Sequence, residues 1–489
     1  MLAKRFQSLE HYRAGEQGGY RLLPFRFLAL DDKRYVMTNF AGEYLVTTRE
    51  QLQQIADHQI RSGTKLYDDL KSQHFIYDSD SKSALELLAL KYRTKRAITA
   101  QFTSLHIFVV SLRCDYTCKY CQVSRQTEDT HSFDMSETTA RRAVDMVFRS
   151  PSKSIKIEFQ GGEPLLNFER IKFIVSLATD RNRTENRDLQ FVIASNLSPI
   201  TDEILRFCDL NNISFSTSLD GPADLHNTNR PRPGKNGHQL TVDGIERIKQ
   251  RLGVDRVSAL MTTTDKSLTR VKEIIDEYVR FGFRSIFLRP LSPYGFAAKT
   301  GQVDRYDADR WLAFYREGLD YILELNHQGY PLRETFSSIV LRKMLTAQNP
   351  GYVDLQSPAG IGISAIVYNY DGDVYASDEA RMLAEMGDKR FRLGNLTDDS
   401  YDDMMLSETL LSTLDASVAE SSPTCSDCAF VSYCGSDPVY HYATQGDPVG
   451  NKSRSGFCHR NMSVFKHLIL RMEDSEVDRD VFLRWGFGC

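Results

Sequence analysis

Between residues 105 and 326 the hydrophobic pattern switches repeatedly between two periods. Short runs rich in β-branched and aromatic residues read as strands: Leu105–Leu112, Ile155–Phe159, Leu189–Ala194, Ser214–Leu219, Val257–Thr262 and Ser285–Leu288. Between them Glu137–Arg149, Phe168–Arg181, Asp202–Asp209, Val242–Arg251 and Thr269–Phe281 carry apolar residues at helical spacing, and Asp307–Asn326 adds a long helix after the sixth strand. In the second helix Ile171, Ile174, Val175 and Leu177 share one face, with Asp and Arg outward. Strands alternating with helices of this length predict βαβ units and a parallel sheet. Six such units make an α/β fold of the open or partial (β/α)6 TIM-like barrel type. Its ligand chemistry belongs at the C-terminal ends of the strands.

The flanks follow other patterns. PFRFLAL, RYVMTNF and YLVTT, separated by Asp31-Asp32-Lys33 and Ala41-Gly42-Glu43, predict a β-meander. After it, REQLQQIADHQIR and KLYDDLKSQHFI predict helices on either side of Gly63, and Ser81–Arg96 predicts another that leads to the first barrel strand. Downstream, Ala365–Tyr375 (AIVYNYDGDVY) predicts a hairpin turning at Asp371-Gly372. The chain thus divides into a small α+β module (1–95), the barrel (96–330) and a cysteine-rich segment (331–489).

Composition narrows the class. The 489 residues are 41% hydrophobic and 11% aromatic, enough for a sizeable core. A net charge of −4 leaves no electrostatic footprint for nucleic acid. No window has the apolar length of a membrane span, and the N-terminus lacks signal-peptide character. Of nine cysteines, six fall at x2 to x5 spacings. Without an export signal, that pattern predicts metal binding in a reducing compartment, by default the cytoplasm.

The first barrel strand runs directly into Cys114, Cys118 and Cys121, spaced C-x3-C-x2-C, with aromatic Tyr120 just before the last. Three thiolates on one short loop suit a [4Fe–4S] cluster whose fourth iron stays open. The alternative is a zinc site with its fourth ligand elsewhere. The second strand runs into Gln160-Gly161-Gly162-Glu163-Pro164, where paired glycines permit close backbone approach and a carboxylate can take an ammonium group. The third ends in Ala194-Ser195-Asn196, the fourth in Ser218-Leu219-Asp220-Gly221-Pro222 followed by His226 and Arg230, and the sixth in Leu288-Arg289-Pro290-Leu291. Asp220 and His226 suit bracing the loop as well as binding.

This order of motifs resembles the radical S-adenosylmethionine (SAM) superfamily. The resemblance implies that Cys114, Cys118 and Cys121 hold a [4Fe–4S] cluster whose open iron is chelated by SAM, and that reduction cleaves SAM to a 5′-deoxyadenosyl radical. It further implies that Gly161, Gly162 and Glu163 meet the methionine amino group. Ser218 and Arg230 would hold the SAM carboxylate. Asn196 would reach the ribose or carboxylate, Leu291 would wall the adenine, and Tyr120 belongs with the cofactor contacts.

Near the C-terminus Cys425-x2-Cys428-x5-Cys434 is followed by Cys458. By composition alone these four thiols suit zinc and a cubane equally. Their arrangement is similar to the SPASM domain of radical SAM peptide maturases, which implies an auxiliary [4Fe–4S] cluster. Such domains usually hold two auxiliary clusters. Here the neighbourhoods that would hold the other, Ser357–Gly360, Ile361–Ala365, Ala376-Ser377 and Pro438, contain no thiol. Two clusters in total are therefore expected. Cys208 is expected to be a small buried hydrophobe, and Cys489 a tail residue.

SYCGSDPVYHYATQGDPVG…SGFC with YNYDGDVY…DEARML upstream resembles the His-Xaa-Ser system radical SAM maturases, from about Tyr20 to near Trp485. More distantly the chain is similar to anaerobic sulfatase-maturating enzymes. The resemblance implies a ribosomally made precursor peptide as partner, an external one-electron reductant of flavodoxin or ferredoxin type, and Asp378 as a general base with Gln160 touching substrate. The small N-terminal module would recognise a leader peptide by strand addition. The expected reaction is hydrogen abstraction from a side-chain carbon followed by an intrapeptide crosslink, a C–C cyclophane or C–heteroatom bond. The alternatives are formylglycine-type oxidation of a Cys or Ser, epimerisation, and a zinc-stabilised peptide-binding module without catalysis.

Overall fold

The computed structural model describes residues 19–127, 129–301, 303 and 306–488, so Cys489 lies outside the described residues. At the N-terminus β1 (Tyr20–Leu22) leads into an antiparallel meander of β2 (Phe25–Ala29), β3 (Arg34–Asn39) and β4 (Tyr44–Thr48). Thr48 then starts α1 (Arg49–Ala56) with a capping box closed by Gln51. The helix predicted over KLYDDLKSQHFI is shorter than expected: α2 (Lys65–Ser72) ends before His74, which takes a left-handed φ of 57°. Phe75 and Ile76 are thereby turned into the local core, and β5 (Ile76–Asp78) pairs with β1. The helix α3 (Ala84–Arg96) follows.

The main sheet is built from parallel strands separated by helices. They are β6 (Leu105–Ser111), β7 (Ser154–Gly161), β8 (Asp188–Ser195), β9 (Ser214–Ser218) and β10 (Val257–Leu260). The intervening helices include α4 (Glu137–Val147), α5 (Phe168–Glu185), α6 (Asp202–Leu210) and α7 (Gly237–Arg251). Cys208 in α6 is fully buried. After Ile107, the central strand β6 is buried on both faces, as its unbroken apolar run requires. Phe108, on β6, meets Phe159 and Tyr368 with ring centroids 6.2 and 5.1 Å away.

The sixth strand departs from expectation. After α8 (Val271–Arg280), β11 is only Ser285–Ile286, and it pairs in parallel with β12 (Arg333–Glu334) apart from the main sheet. Its exit is still tied to the barrel, because Thr263 N–H donates to the Arg289 carbonyl at 3.1 Å. The long helix α9 (Ala308–His327) lies between β11 and β12, and α10 (Thr335–Leu345) follows β12.

The other edge of β6 is covered by the predicted hairpin, which joins the barrel sheet. Strand β13 (Ala365–Tyr368) pairs in parallel with β6, and β14 (Asp373–Tyr375) and β15 (Arg392–Asn395) continue antiparallel, giving eight strands. His106 Nδ1 and Tyr368 Oη lie 3.0 Å apart across that seam. Between β14 and β15, α11 (Asp378–Ala384) lands beside the exit of β6, and α12 (Pro438–Gln445), α13 (Gly456–Asp474) and α14 (Glu476–Phe487) complete the chain. Arg26 Nε donates to Ser426 O at 2.5 Å and Tyr433 Oη to Gly42 O at 2.8 Å, so the meander docks on the C-terminal cysteine loop.

Phe108→Ala should lower unfolding stability by about 3–5 kcal/mol, the usual cost of emptying an aromatic site in a packed core. Denaturant unfolding followed by circular dichroism checks it.

Candidate active site

The exits of β6, β7, β8 and β9 open on a cavity of about 1190 Å³. Cys114, Cys118 and Cys121 line it, together with Tyr120, Gly161 and Gly162. Asn196, Ser218, Arg230, Gln160 and Asp378 line it as well. Eleven residues singled out in the sequence thus share one space. Burial pushes the thiols of Cys114 and Cys118 up, Cys118 to about 11. Thiolates here need a neighbouring positive charge, which a bound metal supplies.

The glycine turn, which lines the cavity, is also packed against the backbone of the cysteine loop. Gly162 N–H donates to Ser111 O at 2.8 Å and Glu163 N–H to Arg113 O at 2.7 Å. A Cβ on Gly161, whose φ is +139°, would lie 1.9 Å from Ser111 O; one on Gly162 would lie 2.3 Å from Arg113 O. The glycines therefore let the exit of β7 press against the backbone that carries the cysteines.

Glu163 is not on the cavity wall. Its carboxylate is fully buried and accepts from Ser195 Oγ at 2.8 Å, Asn196 N at 2.7 Å and Leu165 N at 3.0 Å. Burial raises it to about 7 against those hydrogen bonds. Asn196 is also engaged: its Nδ2 donates to Asp115 Oδ1 at 2.8 Å, which ties the exit of β8 to the cysteine loop.

Arg230 Nη1 donates to Tyr120 Oη at 2.6 Å, and Tyr120 Oη donates to Asp220 Oδ2 at 2.8 Å. Asp220 and His226 are fully buried, and Asp220 N–H donates to His226 Nδ1 at 3.4 Å. Neither lines the cavity, so both brace the loop. Arg230 Nε is buried and has no partner, leaving a guanidinium edge free for an anionic group. That orphaned donor, beside three thiols and a backbone cradle, fits the carboxylate of SAM.

On the hairpin side, Ser377 Oγ caps α11 by accepting from Ala380 N. Asp378 Oδ1 accepts from Arg381 Nε and Nη2, both at 3.0 Å, and Arg381 Nη1 donates to Val123 O at 3.3 Å. Gln160 Nε2 donates to Glu158 Oε1 at 2.8 Å, and both side chains face the cavity because they alternate along β7. That alternation could have flagged Glu158. Arg289, from the exit of the sixth predicted strand, and Met382 also line the cavity, and no local signal in the sequence marks Met382.

Leu291 lies elsewhere. It lines a second cavity of about 730 Å³ with Asp354, Glu379 and Asp437. Burial, then mutual repulsion, raises these three carboxyls to about 7 each. The C-terminal thiols form a third group. Cys425, Cys428 and Cys434 all act electrostatically on Cys458, whose thiol burial lifts to about 12. Two buried lysines flank them: Lys452 Nζ donates to Ser436 Oγ at 2.9 Å, and Lys343 Nζ to the Leu355 carbonyl. Among the described residues no three His, Cys, Asp or Glu side chains are gathered tightly enough for a single metal ion.

Residues 108–278 match the family model of the radical SAM superfamily. The chain is 31% identical over 188 residues to an uncharacterized protein of Methanocaldococcus jannaschii, covering 38% of this chain and 62% of that protein's length. It is 24% identical over 376 residues to a cysteine-type anaerobic sulfatase-maturating enzyme of Clostridium novyi, covering 73% and 94%. Its fold is similar to the native anSMEcpe structure with bound AdoMet (TM-score 0.63, 17% identity, 77% of this chain and 99% of that one). It is also similar to Streptococcus suis SuiB bound to precursor peptide SuiA (TM-score 0.52, 13% identity, 89% and 98%). The α/β architecture and this site define a radical SAM fold. Residues 108–278 form a radical SAM domain, and enzymes with that domain use a [4Fe–4S] cluster and SAM.

Gly162→Ala should weaken SAM binding about tenfold or more, the equivalent of the 1–3 kcal/mol that overpacking costs, as read by calorimetric titration of the reconstituted protein. A pH effect follows from Glu379. Its carboxyl titrates near 4.5 when unfolded and about 7 when folded, so the folded state holds more protons in between and stability falls as pH rises. Glu379→Gln should therefore raise the thermal midpoint, and by more at pH 8 than at pH 6.

Proposed function

We propose that this chain is a peptide maturase that closes a crosslink within a ribosomally made precursor peptide. The observation that carries the proposal is the convergence of three thiols, a glycine turn, Ser218 and Arg230 from three strand ends on one cavity. In this reading Cys114, Cys118 and Cys121 hold the [4Fe–4S] cluster, Arg230 and Ser218 take the SAM carboxylate, and Gly162 offers backbone to the amino group. Glu163 and Asn196 act one layer back, by positioning the loops they join. When bound, the cluster and SAM supply a 5′-deoxyadenosyl radical able to take a hydrogen atom from an unactivated side-chain carbon.

Crosslinking removes two hydrogens from the peptide. One leaves as the abstracted hydrogen atom; the other leaves as a proton and an electron. Asp378, held at the cavity by Arg381, is the candidate proton acceptor, and Gln160 the candidate substrate contact. Cys425, Cys428, Cys434 and Cys458 would hold a second [4Fe–4S] cluster suited to the electron. Lys343 and Lys452 would offset its negative charge.

The meander leaves β2 as an edge strand on which Phe27 is 52% exposed, a surface where an extended leader can add as a further strand. A flavodoxin- or ferredoxin-type protein would supply the reducing electron. The C. novyi relative favours a second reading, oxidation of a single Cys or Ser in a protein.

Co-expression with the precursor peptide, read by tandem mass spectrometry, decides between them. A crosslink makes the product lighter by two hydrogens and suppresses backbone fragmentation between the joined residues. A single-site aldehyde would instead fragment freely and react with a hydrazide. SAM cleavage with no change in peptide mass would sink both. Cys118→Ala should abolish SAM cleavage, whereas Cys425→Ala should retain cleavage and lose the mature product.

A further inference from the structure

The second cavity is lined by aromatic rings, among them Tyr294, Trp311, Tyr352 and Tyr440, and by the carboxylates of Asp354, Glu379 and Asp437. Three half-buried carboxyls in one space repel one another unless something positive balances them. Three cations stand near them, each shared with another contact. Arg289 acts on Asp354 and Glu379, and Lys452 acts on Asp437 while also facing the cysteines. Arg460 lines the cavity too, but its guanidinium lies over the Tyr440 ring, 5.6 Å from the centroid. Part of the carboxylate set has structural work: Asp437 Oδ1 accepts from Tyr440 N at 2.9 Å as the cap of α12, and Asp354 is hydrogen-bonded to the Tyr352 side chain. Glu379 meets its own backbone N–H in the first turn of α11, with no cross-chain hydrogen bond among the contacts described.

A second observation is independent of the acidic cluster. Tyr294 is 1% exposed and Trp311 2% exposed, yet Tyr294 Oη and Trp311 Nε1 are buried without hydrogen-bond partners. Both residues line the cavity, and Tyr294 Oη is in electrostatic range of all three carboxylates without bonding to any. Two orphaned donors call for an acceptor, while the carboxylates call for a cation. Among the described residues the carboxylates do not form a group that could hold a metal ion. A residue of a peptide carries both requirements: a basic side chain, and the carbonyl oxygens of its backbone. Aromatic walls further favour an organic cation.

The two cavities are neighbours. Arg289 lines both, and consecutive residues Asp378 and Glu379 face one each. Consecutive residues stand about 3.8 Å apart, so an extended peptide could place adjacent side chains in the two spaces.

We propose that the second cavity is a specificity subsite that takes a positively charged side chain of the substrate peptide next to the residue being modified. This rests on the peptide-modifying reading above. Titration calorimetry on the full-length, anaerobically reconstituted protein tests it with blocked amino acids. The probes are N-acetyl amides of arginine, lysine, histidine, leucine and glutamate, with putrescine as a free amine. The basic amides should bind at least about tenfold tighter than the leucine and glutamate amides, as charge-assisted hydrogen bonds of 1.5–3 kcal/mol require. Glu379→Gln, and separately Asp354→Asn, should each weaken basic-amide binding about fivefold or more, since charge-assisted bonds exceed neutral ones. Equal binding of the leucine amide, no binding of any probe at 10 mM (roughly the weakest binding that a paired charge would give), or binding unchanged in both variants overturns the proposal. Putrescine binding as tightly as the blocked residues overturns it in favour of a free amine. The wild-type selectivity stands even if a variant folds poorly. SAM cleavage by the wild-type protein is measured alongside: its absence would overturn the radical reading and leave the subsite measurement intact.

Discussion

The catalytic face depends on one close approach of backbone to backbone. The carbonyls of Ser111 and Arg113 accept from the amides of Gly162 and Glu163, at distances that leave no room for a Cβ on either glycine. This contact holds the exit of β6, and so the cysteine loop, against the exit of β7. Glu163 extends the hold to β8 through Ser195 and Asn196, and Asn196 returns it to the cysteine loop at Asp115. Three strand ends are thereby fixed by one buried carboxylate and two missing side chains. The cost of burying Glu163, seen in its raised carboxyl, is accepted because three donors converge on it.

Burial of ionisable groups organises the rest. Around the first cavity a cationic guanidinium, Arg230, bonds Tyr120, which in turn bonds Asp220, and one Arg230 donor is left open. Around the C-terminal thiols, Lys343 and Lys452 are driven into the protein beside Cys434. The second cavity gathers three carboxyls, Asp354, Glu379 and Asp437, beside Arg289 and Arg460. The three places thus differ in charge: an open donor at Arg230, two lysines beside the C-terminal thiols, and three carboxyls in the second cavity.

Much of this was legible along the chain, for reasons that can be stated residue by residue. Within Leu105–Ser111 the residues Ile107 to Val110 are apolar at every position, as a strand buried on both faces requires. Ile171, Ile174 and Val175 repeat at helical spacing and are buried together in α5. Other positions misled because their neighbours outweighed their local pattern. Phe75 and Ile76 continue the helical spacing of KLYDDLKSQ, but the pairing of β5 with β1 draws them out of the helix. Ser285–Leu288 reads as a barrel strand, yet β12 competes for its hydrogen bonds and takes two residues of it. Leu291 follows that strand into a different cavity, and Glu163, a plausible ligand contact by sequence, is consumed by backbone amides.

Spacing along a chain is a local property, and it sufficed for what is local here: alternating strands and helices, three thiols on one loop, four more near the end, and glycines at a strand exit. What joins these pieces is set by contacts between residues far apart in sequence. The hairpin strand β13 could have stayed in the C-terminal segment; instead it completes the hydrogen bonding of β6, some 260 residues away, and carries Asp378 and Glu379 to the cavities. The gathering of carboxyls in the second cavity has the same origin, since Asp354, Glu379 and Asp437 meet only after the sheet has closed over them. Sheet pairing and burial are decided by which edges and apolar faces remain uncovered, and no window of sequence contains that information.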